Sequence, residues 1–260
     1  MYTRDYPEKS AGHDRLDHLL RGWGIATKDE VHHLAAAGRI TVNGTPCLEG
    51  GIHCPPDAVI ALDHVPLKPQ RYLTVMMNKP AGYVCMDGDL RYPDVCSLLR
   101  QEGPEHTLFS IGRLDADTEG LLLLSNSGEL STRIAHPVHT VTKTYLADLD
   151  RPLCDEAETI LLAGAMAPDG NHYRPALLTR ISQLRVQVTV TEGKYHEVKR
   201  LIRICGPYVR KLRRVAIGCL PLDPTLAPGA YRELTENEVT ALFCCPPEAS
   251  LLLNIPPRSL

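Results

Sequence analysis

Asp115, Asp117 and Glu119 stand at alternate positions in the run Gly112-Arg113-Leu114-Asp115-Ala116-Asp117-Thr118-Glu119-Gly120, immediately before the apolar stretch Leu121 to Leu124 and the turn Asn126-Ser127-Gly128. A carboxylate held in a turn beside a buried strand can act as nucleophile or as general acid or base. The same spacing places Asp115, Asp117, Glu119 and Gly120 at the early positions of a calcium-binding loop. That reading fails because the loop's closing position is Asn126 rather than a bidentate glutamate, and Leu121 to Leu124 reads as a strand, not as the exiting helix. A turn-capping role for Asp115 is the plain alternative.

A second concentration of chemistry lies at Glu192-Gly193-Lys194-Tyr195-His196-Glu197-Val198-Lys199-Arg200-Leu201-Ile202. Val198, Leu201, Ile202 and Cys205 fall at helical spacing, so one face of this segment is core. Lys199 flanks that face, where a half-buried ammonium needs an anionic partner. His196-Glu197 lacks the second histidine of a zinc protease helix. From Lys194 to Arg214 eight basic residues (194, 199, 200, 203, 210, 211, 213, 214) face one acidic residue, Glu197, although the whole chain carries a net charge of -3. So local a density predicts an anion-facing surface.

The chain's other features narrow the class. Its 260 residues exceed a typical single domain. No run of about 18 apolar residues occurs, and Met1 to His13 is polar, so neither a membrane span nor a signal core is expected and the protein is assigned to the cytoplasm. Nine cysteines without a Cys-x-x-Cys pair predict neither a disulfide framework nor a zinc site. His32, His33, His136 and His139 lack further ligands at useful spacing, so no metal is expected. No Gly-rich phosphate loop is present.

Arg15 to Leu67 reads as a compact module. Leu16, Leu19 and Leu20 have helical spacing, and Thr27-Lys28-Asp29-Glu30 is a capping box opening a helix that Gly38 stops. Ile40 and Val42 lead into Asn43-Gly44, a strong hairpin signal, and Ala58 to Leu62 supplies a further strand. Pro66 to Arg71 reads as a linker. Beyond it, strands are expected at Tyr72 to Met77, Leu121 to Leu124, Lys143 to Leu149 and Leu184 to Thr191, the last with Leu184, Val186, Val188 and Val190 on one face. A helix is expected over Leu153 to Leu162, started by Pro152 and stopped at Gly164. The chain divides into a flexible 1–14, the module 15–67, a linker 68–71, a large domain 72–244 and a tail 245–260. The fold class is α+β: a small N-terminal module and a larger domain on a mainly antiparallel mixed sheet flanked by helices.

Four ordered segments carry a family resemblance: Asn78-Lys79-Pro80-Ala81-Gly82, Gly112-Arg113-Leu114-Asp115, Lys143-Thr144-Tyr145, and the Glu192 to Ile202 segment. Together they resemble pseudouridine synthases of the small-subunit ribosomal type. Arg15-Leu16-Asp17 and Arg39-Ile40-Thr41-Val42-Asn43-Gly44 resemble an S4 RNA-binding domain, with Lys28 where that family commonly has arginine. The resemblance implies that Asp115 is catalytic, that Tyr145 stacks on an extruded uracil, that Lys199 pairs with Asp115, and that Leu201 or Ile202 floors the pocket. Arg113 is assigned to the vacated stack or a phosphate, and Lys79 to positive charge near the pocket. Arg15, Lys28, Arg39, Asn43, Lys143, Arg200 and Arg203 are the expected RNA contacts. Glu197 stands where the family usually has glutamine, which adds a negative charge near Asp115 or, if it points outward, changes nothing.

The implied reaction breaks the bond from uracil N1 to the ribose, turns the base and rejoins it through C5, so no cofactor or metal is required. The implied partner is ribosomal RNA of the small subunit, met by a monomer within an assembly intermediate. A large-subunit substrate is the main alternative. An S4-type RNA-binding protein without activity, and a hydrolase using Asp115, are the others.

Overall fold

The computed structural model describes residues 14–23, 25–67, 73–85, 89–99, 108–135, 140–167 and 170–244. Residues 1–13 of the expected N-terminal extension 1–14, the linker 68–71 and the tail 245–260 lie outside them, whereas Asp14 is described and pairs with Cys54 in a short strand. Two compact units emerge, one of residues before Val75 with 99–109 and 125–129, the other of the remainder.

In the first unit the helices Leu16–Gly22 and Lys28–Ala36 lie against a small sheet. Thr27 caps the second helix through a complete capping box with Glu30. The sheet's strand order is Thr45–Pro46, Ile40–Val42, Ile60–Leu62, Val65–Pro66. Asn43 and Gly44 both take positive φ, 52° and 79°, as the tight turn between the first two strands demands. Leu16, Leu20, Val31, Ala35 and Ile40 are fully buried and form the core.

Among the described residues the large sheet has nine strands. Its order is Leu177–Ser182, Arg185–Val190, Lys143–Leu149, Val209–Ile217, Thr118–Ser125, Thr74–Lys79 and Tyr231–Glu233, with Leu220–Pro221 and Phe109–Ile111 attached at the side. The pairings around Lys143–Leu149 are antiparallel, whereas Val209–Ile217 runs parallel to Thr118–Ser125. Leu121 to Leu124 are all fully buried, because this strand is covered on both faces and alternation has no place in it. Among the described residues no helix is long and apolar enough to cross a membrane.

Three expectations shift. The helix begins at Ala157, not near Leu153, because the Cys154 carbonyl accepts the Ala157 N–H (3.3 Å) and closes a single tight turn over residues 155 and 156 ahead of the helix. Leu184 is 45% exposed, since residues 183 and 184 form the turn before the Arg185–Val190 strand; Val186, Val188 and Val190 keep the buried face. The basic block does not form one surface: Arg214 is buried, while its strand neighbours Lys211 and Arg213 point outward.

The parallel pairing sets Gly120 opposite Arg214. Gly120 has φ +101°, and a Cβ there would meet the Arg214 carbonyl oxygen at 2.2 Å. Gly120→Ala is expected to lower unfolding stability by about 3 kcal/mol or more, the upper range for single substitutions. Gly38→Ala, at φ +68° in open space, should cost only about 1–2 kcal/mol. Denaturant titration of both variants checks this; equal losses would show that the close approach of the two strands is not what requires glycine.

Candidate active site

The turn that presents Asp115 runs from Gly112, at φ +66°, to the start of the Thr118–Ser125 strand. Lys79 is fully buried beneath it. Its ammonium donates to the carbonyls of Pro80 (3.0 Å), Asp115 (3.1 Å) and Thr118 (2.9 Å). Burial lowers the Lys79 pKa, against the pull of Cys85, Asp117, Asp115 and Glu119. The Gly82 N–H adds a bond to the Ala116 carbonyl at 2.8 Å. Lys79 therefore holds the backbone of the turn from behind, and brings its positive charge close to the cavity without lining it.

The Asp115 carboxylate faces the N-terminus of the Glu197–Ile204 helix. Lys199 Nζ donates to Asp115 Oδ2 at 2.9 Å and to Asp117 Oδ1 at 2.7 Å. Burial opposes the charged ammonium, but the two carboxylates outweigh it and raise the Lys199 pKa. Burial likewise opposes ionisation of Asp117, and the Lys199 bond prevails, holding that carboxyl below its ordinary value. His196 Nε2 lies 3.4 Å from Asp115 Oδ1, on the oxygen opposite Lys199. His196 caps the helix in the left-handed region, φ 54° and ψ 27°, a conformation that costs a non-glycine residue about 1–2 kcal/mol. Strain of this kind concentrates at sites whose surroundings over-determine the backbone. Its ring stacks on Tyr195 at 3.8 Å.

Arg214 is 1% exposed and reaches across the sheet. It donates to the carbonyls of Leu121 (2.7 Å) and Gly112 (2.9 Å) and to the Tyr145 hydroxyl (3.4 Å). It ties the entry of the Asp115 turn to the strand that carries Tyr145. A charge count over Lys194 to Arg214 could not single it out. The alternation of inward Leu212 and Arg214 with outward Lys211 and Arg213 would have done so, had the strand's phase been known.

These groups wall a cavity of about 300 Å³. Asp115, Arg113, Tyr145 and Arg214 line it, with Lys143 and Glu197. Its apolar lining is Leu114, Val198 and Leu212. Leu201 and Ile202, the expected floor, are fully buried in the helix's core face and do not reach it. Lys143, expected on the RNA-facing surface, is buried and donates to the Val141 carbonyl at 3.1 Å. Burial, helped by Arg214, lowers its pKa to about 8, with Glu197 pulling the other way. Glu197 points inward, accepts the Lys194 N–H at 3.2 Å, and is pushed up to about 7 by burial and by Glu192, against the Lys194 N–H and the charges of Lys143 and Lys194.

The remaining expected RNA contacts lie elsewhere. Arg200 donates to the Tyr173 hydroxyl at 3.3 Å, and Arg203 packs on the Tyr208 ring at 4.1 Å while donating to the Gly206 carbonyl. In the first unit Arg15 pairs with Asp17 at 2.7 Å, Arg39 pairs with Asp63, Asn43 Oδ1 accepts the Val59 N–H at 2.8 Å, and Lys28 is exposed. Among the described residues no group of three or more His, Cys, Asp or Glu is placed to hold a metal ion.

Comparison with known proteins returns one chemistry. Residues 73–203 match the family model of RNA pseudouridylate synthases. The chain is 37% identical over 233 residues to an uncharacterised RNA pseudouridine synthase of Bacillus subtilis, covering 88% of this chain and 98% of that one. It is 39% identical over 208 residues to ribosomal small subunit pseudouridine synthase A of Escherichia coli, covering 78% and 89%. A crystal structure of a pseudouridylate synthase superposes with a TM-score of 0.65 at 31% identity, over 88% of this chain and 99% of that one.

The Glu197 carboxyl, raised from its ordinary 4.5 to about 7, makes folding less favourable as pH rises through that interval, because the folded state resists ionisation that the unfolded chain accepts. Glu197→Gln removes the penalty. Its melting temperature should exceed that of the wild type by a larger margin near pH 8 than near pH 5; a margin independent of pH would mean that Glu197 is not held in a desolvated site.

Proposed function

The chain belongs to the RNA pseudouridylate synthase family and is a pseudouridine synthase, and from that premise we propose that it converts one uridine of small-subunit ribosomal RNA to pseudouridine with Asp115 as the catalytic group. The observation that carries the assignment is the Asp115–Lys199 pair, 2.9 Å apart, on the wall of the cavity that also holds Tyr145. The small-subunit substrate is supported by relatives 38–39% identical that are named for that subunit.

The reaction needs a uridine out of its stack, at a cost of about a few kcal/mol offset by phosphate contacts. The exposed Arg113 at the cavity's edge suits a phosphate or the vacated stack. Tyr145 offers a flat ring to the base, and the Arg214 bond to its hydroxyl orients that ring. Lys199 holds the Asp115 carboxylate in place through one oxygen, so that it can attack the ribose or remove a proton while the bond to N1 breaks. After the base turns, C5 bonds to the ribose and loses its proton, and the freed N1 takes one up. Every atom of the uridine is retained, with no change of oxidation state, so the chemistry calls for no cofactor. The first unit acts as the S4-like RNA grip, through the exposed Lys28 and through Arg15 and Arg39, whose carboxylate partners a phosphate would have to displace. The enzyme works as a monomer in the cytoplasm on a subunit assembly intermediate, in which the target uridine is still accessible.

Pseudouridine mapping of both ribosomal RNAs from cells carrying wild-type protein or Asp115→Asn tests this. One small-subunit site should disappear, and turnover of the purified variant should fall at least ~100-fold, the lower end for a lost proton-transfer group. A lost large-subunit site would transfer the substrate to that RNA, and an unchanged map would remove Asp115 from the catalytic role.

A further inference from the structure

The outer side of the Glu197–Ile204 helix carries groups that the reaction as described does not use. Tyr195, at the helix entrance, is 71% exposed, yet its ring is not loose. It stacks on His196 at 3.8 Å and 19°, and His196 is held between its strained cap and Asp115 Oδ1. The Arg200 guanidinium stands over the Tyr195 ring at 5.9 Å from its centre, beyond direct contact. Arg203, three residues on and so on the same side of the helix, lies over the ring of Tyr208 at 4.1 Å, and that ring is 57% exposed. Arg203 also shares the Gly206 carbonyl with Arg151, whose Nη2 donates to it at 2.9 Å. Two exposed guanidinium groups thus converge on one neutral oxygen, while the neighbouring Asp150 carboxylate accepts the Tyr208 N–H at 2.7 Å. Like charges brought this close repel, and both gain when an anion settles beside them. Cations past the end of a helix often serve its carbonyls, as these two do. That service accounts for neither exposed ring.

We propose that this side of the helix is a track for the single-stranded RNA that flanks the target: Tyr195 stacks the base next to the target uridine, Tyr208 stacks a base two or three nucleotides further on, and Arg151 with Arg203 holds a phosphate between them. The proposal rests on the reading of the cavity as the uridine site, and it concerns nucleotides outside that cavity. Single strands are held by aromatic faces that take bases and by guanidinium groups that take the backbone, and the order Tyr195, Arg200, Arg203, Tyr208 supplies both along one helix. The eight residues of that helix span about 12 Å, the reach of a few nucleotides. A uridine that leaves its stack uncovers one face of each neighbouring base. A fixed, exposed ring at the helix entrance covers such a face again and so offsets part of the cost of flipping. The position of the ring adds a second effect. Tyr195 is one stacked ring away from His196, which lies 3.4 Å from Asp115, so a neighbour seated on Tyr195 fixes the strand relative to the catalytic carboxylate.

The test uses full-length protein in an Asp115→Asn background and the ribosomal RNA fragment containing the mapped uridine. Affinity is measured for the intact fragment and for fragments with a single abasic residue at each of the nearest positions on either side of the target. An abasic residue at one immediate neighbour should weaken binding roughly 5- to 100-fold, the range for one stacked base. In Tyr195→Ser that abasic residue should cost almost nothing, whereas Tyr195→Phe, which keeps the ring, should retain the full cost. Tyr208→Ser should silence a second position on the same side and leave the first unchanged. Each ratio is taken within one variant, so a general loss of affinity or folding cancels. Arg151→Gln should lower the slope of log affinity against log salt by about 1, and an unchanged slope would strike the phosphate contact. A neighbour cost that persists after Tyr195→Ser, or the absence of any sensitive neighbour, would make the tyrosine a mere cover for His196 and overturn the proposal alone. Turnover of the intact fragment by the Asp115→Asn protein would instead remove the cavity as the uridine site, and the proposal with it.

Discussion

Two buried cations hold one turn. Arg214 takes the Gly112 carbonyl at its entry, and Lys79 takes the Asp115 and Thr118 carbonyls at its exit. Both are 1% exposed or less, and each uses its donors chiefly on backbone oxygens of the turn and of the strand that follows it. A buried carbonyl without a donor costs about 1–3 kcal/mol, so removing either cation leaves several such groups exposed to that penalty at once. A catalytic carboxylate has to be fixed while remaining open to substrate, and fixing it through its backbone leaves its side chain available.

The same economy governs the side chain. Lys199 occupies one oxygen of Asp115 and is shared with Asp117, so the pair is held by a three-member network, not by a single contact. His196 faces the other oxygen from a strained helix cap. Arg113, Lys143, Lys194 and Arg214 line the cavity and Lys199 stands at its edge, so cationic side chains outnumber the carboxylates Asp115, Asp117 and Glu197. Such an excess favours an anion that forms inside the cavity. The helix Glu197–Ile204 makes this feasible because Leu201 and Ile202 are sealed into the core while Glu197 and Val198 in its first turn line the cavity.

Much of this was legible beforehand, and the failures share a cause. The capping box at Thr27, the hairpin turn at Asn43-Gly44, the strand Lys143–Leu149 and the buried run Leu121 to Leu124 are set by local chemistry or by strong patterning, and the structure contains them. The helix start, the exposure of Leu184 and the placement of Leu201 and Ile202 were misread because each depends on which distant segment supplies a hydrogen bond or a covering surface. Lys143 was assigned to an RNA-facing surface, and Arg214 was one of eight interchangeable basic residues, because a sequence records that a residue is charged but not which way its strand faces.

The sequence by itself determined the class of chemistry, a carboxylate before a buried strand with a lysine on an amphipathic helix, because those patterns are local and periodic. Only the tertiary structure decided which charges work together. Asp115 and Lys199 are separated by more than eighty positions along the chain, and the parallel pairing of Thr118–Ser125 with Val209–Ile217 is what carries Arg214 to Gly112 and Tyr145. Burial, which turns Lys143 and Glu197 from ordinary surface charges into groups that titrate near neutrality, is a property of the packed sheet and helix and of no stretch of sequence alone.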